Sequence, residues 1–255
     1  MLSFHKNAFI ATVAAAGFFM GMAAAQAAVI TAGSPPSSAP TTFLDTKTGK
    51  IEGFMPDIAA EVARREHLDL KFDAVAFSTL IQSVISGKID MIVAGMTPTP
   101  KRAEVIDFSQ PVTAFGEGIF VRDDQKKTFK SANDFKGLVI GVPAGTDYGL
   151  KLQSMGIAKE VKFYDSAADL ARDVYLKRVA VGLNDYPILK GQQAAGSMKG
   201  MHVVEEYKPL QKFDVAFGVR KGNKELLDKI NTALDAMKKD GTLNKILAKW
   251  GMSNS

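Results

Sequence analysis

The chain has 255 residues, 46% hydrophobic and 23% charged, with a formal net charge of +5 and no cysteine. That length is enough for one large or two medium domains with their own cores, and the lack of cysteine excludes disulfides and any lipid-anchoring thiol. Lysines and arginines are interleaved with acids, without a basic stripe or an aromatic RNA-binding motif, so no nucleic-acid partner is expected.

In chain order, Lys6 is the last charge before Asp45, and residues 8–25 are apolar and alanine-rich. They lead into Ala25-Gln26-Ala27, a small-x-small cleavage site, so residues 1–27 read as a signal peptide for export to the periplasm. The rival is an uncleaved membrane anchor, because the stretch approaches the ~20 residues that span a bilayer, with Gly17 and Gly21 as a helix-packing pair. Alanine is a weak spanning residue, which favours cleavage.

Val29–Ala32 reads as a strand, followed by a loop rich in Pro, Ser and Thr. Pro56 suits a first helical turn, with Ile58 and Val62 on one apolar face. Leu70–Ala76 is the next strand, and Ser78 is expected to cap a helix carrying Leu80, Ile81, Val84 and Ile85 that stops at Gly87. With Met91–Ala94 as a third strand, the order βαβαβ predicts a parallel sheet. A similar unit follows Val121. Ser131 and Asp134 form a capped turn, Leu138–Val142 and Val161–Tyr164 are strands, and Ser166 with Asp169 opens a helix. Val179–Leu183 runs into Asn184-Asp185, and His202–Val204 and Asp214–Val219 complete the strands. Asn223 caps a helix bearing Leu227, Ile230, Leu234 and Met237, Gly241 ends it, and Trp250 anchors a last short helix. No internal repeat is visible.

Enzymatic chemistry finds little to work with. Outside the leader the histidines are His67 and His202, far apart and without ligand spacing. There is no HExxH, no phosphate loop, no GxGxxG and no GxSxG elbow, so no metal or cofactor is expected. A binding site assembles more readily. The apolar strand Met91–Ala94 stops at Gly95-Met96-Thr97, and Arg102 follows a proline-framed turn. Backbone N–H groups, a hydroxyl and a planar guanidinium fork suit a carboxylate. The turn Gly145-Thr146-Asp147 could add donors. A bound zwitterion also needs acceptors for its ammonium, because an unmet charge in a dry cleft costs several kcal/mol.

These motifs carry a resemblance. Ser86-Gly87-Lys88-Ile89-Asp90, Ala94-Gly95-Met96-Thr97, Thr99-Pro100, Arg102 and Asp107-Phe108-Ser109 stand almost whole in the pattern of bacterial extracellular solute-binding proteins of family 3. Gly49-Lys50-Ile51-Glu52-Gly53-Phe54, Gly141-Val142-Pro143-Ala144-Gly145-Thr146, Val219-Arg220-Lys221-Gly222 and Asp240-Gly241-Thr242-Leu243 follow in the family's order. The resemblance covers everything after the leader.

It implies an α/β, two-lobe periplasmic binding protein fold, with mostly parallel sheets flanked by helices and a two-segment hinge near 112–118 and 210–216. Lobe 1 would hold 28–113 plus 213–255, and lobe 2 would hold 114–212. The implied function is capture of a polar amino acid or related small zwitterion, as a monomer, for an ABC transporter permease. Ligand-binding candidates are Phe77, Gly95, Met96, Thr97, Arg102, Gly145, Thr146, Asp147 and Asp185. Arg102, Thr97 and the Gly145–Asp147 turn would take the carboxylate. Asp185 would take the ammonium, with the Gly95 carbonyl as a second acceptor. Asp185 as a helix cap and Phe77 as plain core remain alternatives, and Tyr148 and Gln82 could read the ligand side chain. The chain departs from the pattern at Thr41, where an aromatic is usual unless Phe43 replaces it, and at Met55, Thr113 and Ala180. Two other readings stay open. One is a cyclohexadienyl dehydratase-like enzyme using Glu117 or Asp147 as general acid. The other is a sensor domain, disfavoured because no output domain follows.

Overall fold

The structure is a computed structural model that describes Met1 and residues 29–252. The expected signal peptide therefore lies outside the described residues, apart from Met1. Among the described residues no helix is long and apolar enough to cross a membrane.

Two five-stranded sheets organise the chain. The first runs Asp69–Ala74, Val29–Ser34, Met91–Ile92, Gly218–Arg220, Ile106–Phe108, and the second runs Glu160–Tyr164, Val139–Pro143, Val181–Asp185, Glu117–Arg122, Met201–Val203. In each, the first three strands are parallel and the fourth is antiparallel to both neighbours. That fourth strand is the one the chain enters directly after crossing between lobes. The crossing segments, Thr113–Phe115 and Phe213–Val215, pair with each other as a two-stranded antiparallel ribbon.

The expected strand Asp214–Val219 is thus two strands in two sheets. Ala216 and Phe217 separate them, their amides donating to the Met96 carbonyl and to Ser109 Oγ. A continuous apolar run cannot reveal that its two ends serve different sheets.

An internal repeat does exist, in geometry. Helix Leu80–Ile85 and helix Ala167–Tyr175 both feed a strand through the same corner. In one, the amides of Lys88 and Ile89 donate to the Ser83 carbonyl, and in the other Arg178 and Val179 donate to that of Asp173. Gly87 turns the first corner at φ 76°, and Lys177 turns the second at φ 63°. With lysine at the second corner, the repeat is masked in the sequence.

The loop after the first strand folds into a small sheet of Ser37–Ser38, Thr42–Leu44 and Ile51–Glu52. Ser78 does not cap the following helix. It lies in a 3-10 turn, Phe77–Thr79, and its hydroxyl donates to Asp165 at 2.8 Å, across to the second lobe. The C-terminal helices match expectation. Asn223 accepts from the Leu226 amide to cap Lys224–Lys239, whose buried Ile230 and Leu234 share a core with Phe54, Ile58 and Leu247. Trp250 anchors the end, its indole donating to Asp57 at 2.8 Å.

Candidate functional site

The C-terminal ends of both parallel sets point at one cleft, as α/β sheets place their ligand sites. There a cavity of about 190 Å³ is lined by residues of both lobes. Met91–Ile92 leads to Gly95 and Thr97, Val139–Pro143 leads to Thr146, and Val181–Asp185 ends on Asp185 itself.

Arg102 is set by a short helical turn, Pro100–Ala103. Pro100 supplies the fixed φ of a first turn, and Thr99 caps it by accepting from the Arg102 amide at 3.3 Å. The side chain turns back over the cleft. Nη1 donates to the Thr97 carbonyl at 2.6 Å and Nη2 to the Gly145 carbonyl at 2.8 Å. Burial lowers its pKa, opposed by the charges of Asp147 and Asp185. A guanidinium stays charged under such a shift.

Asp185 occupies the N-cap position of helix Tyr186–Ala194, yet its side chain makes no cap bond. The helix-cap alternative is therefore not how its carboxylate is used. Burial pushes its pKa up to about 7, reinforced by the like charge of Glu117 and opposed by Arg102. Glu117 faces it across the ladder, since the two are paired in register. Gly95 makes this approach possible: a Cβ there would sit 3.1 Å from Asp185 Oδ2. Thr146 precedes helix Asp147–Met155, and its hydroxyl donates to the Pro143 carbonyl at 2.8 Å.

Phe77, Gly95, Thr97, Arg102, Thr146, Asp147 and Asp185 all line this cavity. Phe77 also packs against the core. Gly145 enters through its carbonyl on Arg102. Met96 does not line the cavity. Its side chain packs in the core with Leu80, Ile89 and Ile106, and its amide closes a tight turn on the Ala94 carbonyl at 2.8 Å. Gln82 is exposed, whereas Tyr148 is in the wall. Glu117 is buried behind it, Oε1 accepting from Tyr207 Oη at 3.1 Å and the Leu210 amide at 2.6 Å.

Neither Thr41 nor Phe43 supplies the missing ring. Thr41 is buried outside the cavity wall, and Phe43 packs edge-on to Trp250 at 5.9 Å. The wall on that side is Pro35, Pro36, Ser37 and Ser38. Sequence reading missed these, with Asp165 and Phe213. Asp165 follows the C-terminal end of Glu160–Tyr164, so the rule that strand ends face the cleft would have found it. Phe213 carried no such signal.

Two lobes of one topology, joined by paired crossing strands over a charged cleft, define the periplasmic binding protein class. The chain belongs to the bacterial extracellular solute-binding proteins, family 3, whose model matches residues 30–253. It is 29% identical over 202 residues to the L-cystine-binding protein TcyJ of Escherichia coli (strain K12), covering 79% of this chain and 75% of that protein. It is 30% identical over 203 residues to the ABC transporter arginine-binding protein 1 of the same strain, covering 79% and 82%. Among solved structures, an ancestral arginine-binding protein bound to arginine superposes with a TM-score of 0.80 at 32% identity, covering 87% of this chain and 97% of that one.

Proposed function

We propose that this protein is the amino-acid receptor of an ABC importer, exported to the periplasm, where as a monomer it captures a polar amino acid or related small zwitterion and presents it to a permease in the inner membrane. Lobe 1 is 28–113 plus 213–255, lobe 2 is 114–212, and the crossing segments absorb the backbone change on closure.

The observation that carries this reading is the pairing of Arg102 and Asp185 in one buried cavity. A guanidinium on one side and a carboxylate on the other match the two ends of a zwitterion, and each is costly to bury without its counter-charge. The ligand carboxylate sits on Arg102, Thr97 and the turn Gly145-Thr146-Asp147, and its ammonium sits between Asp185 and the Gly95 carbonyl. The cystine- and arginine-binding relatives support an amino-acid ligand.

The protein acts by binding and not by catalysis. Of the two general-acid candidates, Glu117 lies behind the wall with one oxygen engaged by Tyr207 and Leu210. Asp147 does line the cavity, but it stands beside Arg102 and Asp185, the charge pair that a bound zwitterion satisfies. Thermal-shift screening of the purified protein tests the reading, because a true ligand raises the melting temperature with concentration by mass action. Turnover of an arogenate-like ring without such a shift would overturn it.

A further inference from the structure

We infer that Asp165 anchors a second subsite, and that the ligand class is a basic amino acid whose side-chain cation this carboxylate holds. The inference rests on the function proposed above and narrows it.

The first observation is a charge imbalance. Among the described residues lining the cavity, Arg102 is the single cation, against Asp147, Asp165 and Asp185. A zwitterion seated on Arg102 and Asp185 adds one charge of each sign and leaves the imbalance in place. A second cation on the ligand reduces it, whereas a ligand with an acidic side chain deepens it. Like charge gathered around one cleft is repulsive, so the imbalance works against acidic ligands before any contact is counted.

A second feature belongs to the head of the site. Tyr148 is 5% exposed and stands in the cavity wall with Asp185 and Thr146 beside its hydroxyl, so it bears on the ligand ammonium and not on the side-chain seat.

Position assigns the roles. Asp147 and Asp185 act electrostatically on Arg102, at the head of the site. Asp165 is exposed and opens the loop after Glu160–Tyr164. It stands at the lip, holding the Ser78 hydroxyl at 2.8 Å, one residue beyond the Phe77 ring. A side chain leaving the head group along Phe77 places its cation at Asp165, with an aromatic face beside its stem. Ser37 and Ser38 line the same cavity as spare acceptors for a guanidinium or ammonium. Asp165 comes from lobe 2 and Phe77 from lobe 1, so the side-chain seat is complete only when the lobes meet.

Calorimetry with L-arginine, L-lysine, L-glutamine, L-glutamate and L-cystine tests this on the wild type, Asp165→Asn and Ser78→Ala. Asparagine keeps the acceptor for Ser78 and removes only the charge, and the site is exposed enough to tolerate it. The expected result is arginine or lysine bound at least ~10-fold more tightly than glutamine, with glutamate weakest. Asp165→Asn should weaken the basic ligand by ~5- to 10-fold and leave glutamine within ~2-fold. Ser78→Ala, which removes the contact between lobes but keeps the charge, should affect both ligands alike. Glutamine or cystine bound as tightly as arginine, or equal losses for arginine and glutamine in Asp165→Asn, overturns the inference and leaves the receptor reading standing. No amino acid bound at all removes the receptor reading, and this inference falls with it.

Discussion

Arg102 Nη2 donates to the carbonyl of Gly145 at 2.8 Å, joining a short turn of one lobe to the helix-leading loop of the other. The same guanidinium holds the Thr97 carbonyl at 2.6 Å. One side chain therefore joins the two lobes and, in the proposed site, also meets the ligand carboxylate, so its removal should be felt in both.

Arg102→Ala is expected to weaken amino-acid binding by at least ~2 kcal/mol, because a buried carboxylate loses its cation and donors. Arg102→Lys should recover little of this, since an ammonium cannot reach two carbonyls and a carboxylate with a planar fork. Calorimetry checks both variants. Wild-type affinity in either one would take Arg102 out of the ligand contact.

Affinity should rise with pH between about 5 and 8. Asp185 has its pKa pushed up to about 7, by burial first and by Glu117 second. An arriving ammonium prefers the ionised form, so binding near neutrality releases a proton. Titrations in two buffers of different ionisation enthalpy should show that release, and Asp185→Asn should abolish it. The ligand-free protein should respond in the opposite sense. The raised pKa adds stability that is fully present below the ordinary value of 3.8 and is lost as pH rises toward about 7.

Gly95→Ala should impair binding with little effect on stability of the ligand-free protein. Its Cβ would lie 3.1 Å from Asp185 Oδ2 and 3.5 Å from Phe115. The carboxylate must then shift from the ammonium position, and misplacement of a buried charge is expected to cost about 1–3 kcal/mol. Unchanged affinity would mean that the carboxylate can move without harm.

Lys177→Gly should stabilise the protein by about 0.5–1 kcal/mol. Lysine at φ 63° carries left-handed strain that glycine does not, partly offset by the freedom glycine adds to the unfolded chain. Its ion pair with Asp124, at 3.1 Å, is exposed and contributes little. The reciprocal change, Gly87→Ala, should destabilise. Thermal melts of the two variants should move in opposite directions.

Much of the fold was legible because apolar periodicity and caps are local. Ser131 with Asp134 and Asn223 with Leu226 cap as their spacing required. What escaped was a non-local division of one run and a local turn built on an unexpected residue. The sequence could not show that one apolar run divides at Ala216 between two sheets, nor that Lys177 copies the turn of Gly87. The site followed the same division. Thr97, Arg102 and Asp185 sit where strand ends and turns put them, while Met96, one step along the chain, faces the core. Phe213 reaches the cavity from the crossing strand, where it stacks on Tyr148 with ring centroids 6.2 Å apart, a contact that no local pattern encodes. Ser78 bonded across the cleft where its spacing suggested a cap, because Asp165 from the other lobe competes for the hydroxyl.

The most direct test of the central claim, that both ends of a zwitterion are clamped, compares three molecules in one thermal-shift series. They are the amino acid that stabilises the protein most, the amine formed by removing its carboxylate, and the acid formed by removing its amino group. The expected result is a concentration-dependent rise in melting temperature for the intact amino acid and little or none for either truncated form. An amine or acid that stabilises the protein as well as the parent would show that Arg102 and Asp185 do not hold the two ends together.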